Sequence, residues 1–152
     1  MSGLFGSFDV TASGLTAQRY RMDVIAENIA NVDTTRTADG NPYRRKTVVF
    51  EEKGNGASFA NVLSNASGKY TGKGVHGVKV IGTFEDTSTD MKMVYDPSHP
   101  DADENGYVTY PNVDIVTEMT NMIDASRSYE ANATAFSASK SMAMKGLEMA
   151  GS

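Results

Sequence analysis

Large apolar side chains recur every seven residues near the start of the chain, at Phe8, Leu15, Met22 and Ile29, with Ile25 and Val32 three residues beyond the last two. A strict seven-residue repeat is a helical seam of about 3.5 residues per turn. Gln18, Arg19, Arg21, Asp23 and Glu27 surround the seam, and Asn31-Val32-Asp33-Thr34-Thr35 supplies turn-favouring residues where it stops. The pattern predicts a helix over residues 8–31.

A second seam follows Pro111. Ile115, Met119, Met122, Ser126, Tyr129, Ala133, Phe136, Lys140, Ala143, Leu147 and Ala150 alternate steps of four and three, and only Ser126 and Lys140 among them are polar. A helix from Val113 to about Ala150 would be about 57 Å long, against about 30 Å for the diameter of a small domain, so it is expected to overhang.

Between the seams the period shortens to that of strands. Thr47–Phe50, Gly77–Ile81, Met91–Tyr95 and Tyr107–Tyr110 are rich in β-branched and aromatic residues, and the second and third alternate. All four prolines, Pro42, Pro97, Pro100 and Pro111, lie in this middle, so long helices are confined to the two ends. Residues 54–74 form a Gly/Asn/Ser-rich loop, in which Phe59–Leu63 reads as a helical turn or a weak strand. The expected fold class is therefore α+β, divided into an N-terminal helix (1–34), a small β-rich region (35–111) and a C-terminal helix (112–152) that packs with the first.

Composition narrows the function. The chain has 152 residues, a formal net charge of -5 and no cysteine, which rules out disulfide staples, thiolate catalysis and Cys-ligated zinc. The acidity argues against nucleic acid as a partner. The single basic run, Arg44-Arg45-Lys46, is followed by Glu51 and Glu52 and reads as a solvated or interface strand end. No stretch reaches the length of apolar chain needed to span a bilayer, and the first residues lack the basic and apolar regions of a cleaved signal.

Candidate chemistry is sparse. His76 and His99 sit in turn-like contexts with no metal-ligand spacing, and no G-x-S-x-G elbow is present. Gly68–Gly74 is one residue short of a phosphate-binding loop. Asp101-Ala102-Asp103-Glu104-Asn105-Gly106 matches the first half of a calcium loop, but its twelfth position is Asn112 and no helix precedes it. A calcium-dependent periplasmic or extracellular binding module is the alternative this loop allows, and a polar hairpin connection explains the same residues. No catalytic residue, cofactor, metal or small-molecule substrate is expected.

The seams allow two arrangements. A helical hairpin within one molecule would pair only along the shorter helix and leave over a dozen residues of apolar seam uncovered. Exposed apolar surface of that extent marks a partner interface, so oligomerisation through the termini is the sharper expectation.

Ala26-Glu27-Asn28-Ile29-Ala30-Asn31-Val32-Asp33-Thr34 resembles the shared signature of bacterial flagellar rod and hook proteins. Asn112-Val113 through Glu118-Met119, continued by Ser126-Arg127-Ser128-Tyr129-Glu130-Ala131-Asn132, is similar to the C-terminal signature of the same family. Asn41–Lys46 with Val48–Phe50, and Tyr95–Asp103 with Gly106–Val108, resemble its proximal-rod members. The resemblance implies a structural, non-enzymatic subunit of the basal-body rod. It would self-assemble with other rod proteins, its terminal helices forming a coiled-coil-like layer around the export channel and transmitting torque. Copies of itself, other proximal- and distal-rod proteins, and adaptor and export-gate proteins at the rod base are the implied partners. The implied location is the periplasmic rod, reached through the flagellar type III system without signal cleavage. On the two seams and signatures, Leu15, Met22, Ile25, Asn28, Ile29, Asn31, Val32, Val113, Val116, Met119, Met122, Arg127, Tyr129, Asn132, Phe136 and Leu147 are expected at subunit-packing contacts.

Overall fold

A computed structural model describes residues 2–54 and 76–150. The Phe59–Leu63 patch and the Gly68–Gly74 cluster lie outside them. Among the described residues two long helices flank four strands: α1 (Ser2–Ala30), β1 (Lys46–Glu52), β2 (Val78–Glu85), β3 (Lys92–Tyr95), β4 (Tyr107–Tyr110) and α2 (Ile115–Ala150). This is the expected α+β arrangement of terminal helices around a small β middle. The strands form two separate two-stranded sheets, β1 with β2 and β3 with β4. In the second the strands run antiparallel, with Lys92 opposite Tyr110 and Tyr95 opposite Tyr107.

The helices differ from expectation at their starts. α1 begins at Ser2, six residues early, because residues 2–7 contain nothing that forbids helix beyond two glycines. At its other end Asn31 closes the last turn, donating from Nδ2 to Glu27 O while its Oδ1 accepts from Thr34 Oγ1. α2 starts at Ile115 rather than Val113 because Asp114 is its N-cap, with Oδ1 accepting from Val116 N. With 29 and 36 residues, the helices are closer in length than the seams implied.

The chain divides into two compact units, one of residues 1–18, 50–80 and 128–152, the other of 19–49 and 81–127. In the first, the Phe8 and Phe136 rings pack edge to face with centroids 5.1 Å apart. Gly14 admits the neighbouring helix: a Cβ there would lie 2.8 Å from Asn132 Oδ1. Gly77 is buried, and a Cβ on it would collide with Ser13 Oγ, which accepts a hydrogen bond from Val78 N and donates to Val10 O. Helix and strand thus touch at a point where both residues are small.

Among the described residues the second unit holds most of the buried apolar ones, with Val24 and Ile25 from α1, Tyr43 from the connection to β1, Val108 from β4, and Val113 and Ala125 at and within α2. Gly106 takes φ +79, which only glycine adopts freely, to turn the chain into β4. Asp103 stabilises that turn, its Oδ1 accepting from Asn105 N and Tyr107 N.

The face that α2 turns inward is one residue away from the seam read in the sequence. Glu118, Ala125 and Ser139 are buried and Asn132 is half-buried, at strict seven-residue spacing, and the half-buried Met122, Phe136 and Ala143 join them. Ile115, Met119 and Leu147, on the seam read in the sequence, are exposed in the single chain. The inward stripe is small or polar because the segments packed on it approach closely and bring hydrogen-bonding partners. Exposure of Ile115 and Met119 follows from the face they occupy, since they lie in the first turns of α2, whereas Leu147 lies in a last stretch, 140–149, that is exposed on nearly every side.

Candidate functional site

The second unit carries a buried polar cluster and, on the opposite side of α2, an exposed apolar face. Asn28 is the centre of the cluster. It is fully buried near the end of α1, and its amide makes all four of its bonds. Nδ2 donates to Lys46 O at 2.8 Å and to Glu118 Oε2 at 2.9 Å, while Oδ1 accepts from Lys46 N at 2.8 Å and Tyr43 Oη at 2.9 Å. Asn28 therefore pairs with the first residue of β1 as a neighbouring strand would, and ties it to α2.

Glu118, 1 % exposed, is a buried carboxylate with an explicit counter-charge. Arg45 reaches its Oε1 from both Nε (2.9 Å) and Nη2 (2.8 Å), and Nη1 lies 3.6 Å from Asp86. Asn112 completes the frame: its Oδ1 accepts from Arg45 N, and its Nδ2 donates to Asp86 O and Thr89 O. Burial pushes the Tyr43 hydroxyl well above its ordinary range, with the nearby Glu27 and Glu118 charges adding to the effect. Asp86 is held far below the usual carboxylate range by hydrogen bonds from the Ser88 and Thr89 hydroxyls and amides. These are the bonds of a structural joint that fixes α1, β1 and α2 in one register within the unit.

Arg45 is thus not the solvated strand end expected from the basic run; its head group is committed to Glu118. Glu118, Arg45, Tyr43 and Asn112 were not singled out as site residues, although each lies within one of the quoted signatures. The missing signal was pairing across sequence: Asn28 and Glu118 stand 90 positions apart.

The α2 face turned away from the cluster is apolar and uncovered. Val116 is 73 %, Met119 57 % and Ile123 54 % exposed, at spacings of three and four. Among the residues expected at subunit contacts, Val116, Met119, Arg127, Tyr129 and Leu147 are exposed; Leu15, Met22, Ile29, Asn31, Val32, Met122, Asn132 and Phe136 are half-buried. Ile25, Asn28 and Val113 are buried in the chain's own packing. Met22 meets Ser126, whose Oγ lies 3.5 Å from its sulfur.

The acidic turn does not converge on a cation. Asp101 accepts from Thr35 Oγ1 and pairs with Arg36, while Asp103 caps its own turn. No group of three or more potential ligands surrounds a common point among the described residues. None of the described helices is long and apolar enough to cross a membrane.

Both ends of this arrangement match known family models. Residues 8–36 match the flagella basal body rod protein family, and residues 104–149 match the C-terminal family of flagellar basal body rod FlgEFG proteins. Over 149 residues the chain is 50 % identical to flagellar basal-body rod protein FlgC of Bacillus subtilis, covering 95 % of this chain and 97 % of that one. The chain belongs to the FlgC family of flagellar basal-body rod proteins. FlgC of Borreliella burgdorferi is 48 % identical over 92 % of this chain and 93 % of its own, and FlgC of Escherichia coli O157:H7 is 44 % identical over 96 % and 97 %. As an FlgC-family member the chain is a structural subunit of the flagellar basal-body rod and not an enzyme.

Proposed function

We propose that the chain builds the proximal part of the rod, packing its terminal helices in a coiled-coil-like layer against copies of itself and against other rod proteins. The layer surrounds the export channel and transmits torque, and subunits reach the periplasm through the flagellar type III system. Adaptor and export-gate proteins are the partners at the rod base. The observation that carries this reading is the face of Val116, Met119 and Ile123, large apolar side chains left exposed on a helix whose other side is fixed by the Asn28–Glu118–Arg45 cluster. Burying each such side chain against a neighbour would contribute about 1.5–3 kcal/mol. Repeated around an assembly, this holds a shaft together without covalent bonds.

Arg127, four residues beyond Ile123, extends this face, Tyr129 is a separate exposed contact on another side of α2, and the residues buried within the chain, Ile25, Asn28 and Val113, act by orienting the helix. The test is complementation of a rod-deficient strain with Val116→Asp and, separately, Tyr129→Asp. Both should leave a folded, soluble chain, with wild-type circular dichroism, that does not support swimming. Normal swimming with both substitutions would overturn the reading.

A further inference from the structure

A groove of about 550 Å³ opens between the segment after α1, the β3–β4 ribbon and the start of α2. Its walls are Val32, Val94, Tyr110, Pro111, Val113 and Ile115. Asp33 and Asp114 flank it, and neither forms an ion pair among the described residues. Lys92 also lines the groove, with its Nζ donating to Val113 O at 3.1 Å, so the lining carries two carboxylates and one ammonium. The groove suits an apolar segment that carries a positive charge.

The chain owns such a segment. Lys140, Met144 and Leu147 fall at i, i+4 and i+7 on α2 and so form one stripe on the helix surface. Met144 is 54 % and Leu147 71 % exposed, which means that neither is seated in a groove of its own chain. Lys140 is exposed and makes no ion pair among the described residues. Unbranched Met side chains adapt well to irregular apolar walls.

We propose that the Lys140–Met144–Leu147 stripe of one copy docks into the groove of a second copy, with the Lys140 ammonium between Asp33 and Asp114. This rests on the reading of the chain as a self-assembling rod subunit and names one contact of that assembly. Groove and stripe are different surfaces, so the contact is head-to-tail and each copy can give and receive. Lys140, one of the two polar positions of the seam, thereby gains a partner.

The absence of cysteine gives a clean background for the test. Asp33→Cys and Lys140→Cys chains, each carrying one cysteine, are co-expressed, and basal bodies are purified and oxidised. Swimming and rod assembly are scored first, which separates failure of this contact from failure of assembly as such. The contact predicts a disulfide-linked dimer of one Asp33→Cys chain with one Lys140→Cys chain, at least tenfold above the level from either variant alone. Assembled rods without that dimer, or with position 140 linked to a different protein, would overturn the proposal. Should either cysteine variant fail to assemble, charge exchange decides: Asp33→Lys combined with Lys140→Asp should restore swimming lost with either alone, and no restoration would overturn it.

Discussion

Asn28 holds Lys46 by both of its backbone groups, donating to the carbonyl and accepting from the amide at 2.8 Å each. A side chain in α1 thereby serves as the missing edge partner of β1. Replacing Asn28 by Asp removes both donors, leaves Lys46 O unsatisfied, and sets a second carboxylate against Glu118. Each buried polar group left unpaired costs about 1–3 kcal/mol, so Asn28→Asp should lose about 3 kcal/mol or more. Urea unfolding, read as the midpoint shift at constant slope, measures this; a shift below about 0.5 kcal/mol would show that the amide pairing is not needed.

Arg45 and Glu118 should behave as a pair. Arg45→Ala strands a buried carboxylate and is expected to cost about 3–5 kcal/mol. Replacing both by apolar residues of similar size, Arg45→Met with Glu118→Leu, should cost less than Arg45→Ala alone, because no charge is then left buried. A double-mutant cycle reports the coupling, and strictly additive losses would contradict it.

Stability should fall at both extremes of pH, for separate reasons. Tyr43 has its folded value raised, so its contribution is complete below the ordinary tyrosine value of about 10 and is lost above it, as the unfolded chain ionises and the folded one does not. Tyr43→Phe should flatten the alkaline limb while losing the bond to Asn28. Asp86 and Asp96 have lowered values, so their contribution is present above the ordinary carboxylate value of about 4 and is lost as pH falls below it. Asp86→Asn should flatten the acid limb. Thermal melts across pH check both, and unchanged limbs in the variants would refute the assignments.

Gly77 and Ser13 meet where α1 passes the start of β2. Gly77→Ala would push Ser13 aside and break its bond to Val78 N, an overpacking cost of about 1–3 kcal/mol. Thermal unfolding tests this, and a melting temperature equal to wild type would mean the backbone gives way freely.

The two helices and the strand positions were legible because each leaves a local period in the sequence: seven residues for the seams, two for Gly77–Ile81 and Met91–Tyr95. The face of α2 was legible only to within one residue. A periodic reading draws one seam through the largest apolar side chains, Ile115, Met119 and Leu147, and does not separate the side that packs within the chain, whose stripe is Glu118, Ala125, Asn132 and Ser139. Glu118 can be buried only because Arg45 and Asn28 meet it from distant segments, and no local pattern announces such partners. Arg45 was misplaced for the same reason. Its neighbours in sequence suggest solvent, and its neighbour in space is a carboxylate.

The exposed apolar face of α2 is the centre of this account, and its protection in the assembled rod is the direct test. Met119→Cys introduces the only thiol into a cysteine-free chain at a position that is 57 % exposed. In the free protein a maleimide should label it at the rate of an open surface thiol; in purified basal bodies the rate should fall at least tenfold, because a neighbouring subunit covers the site. Equal labelling rates in the two states would contradict the account.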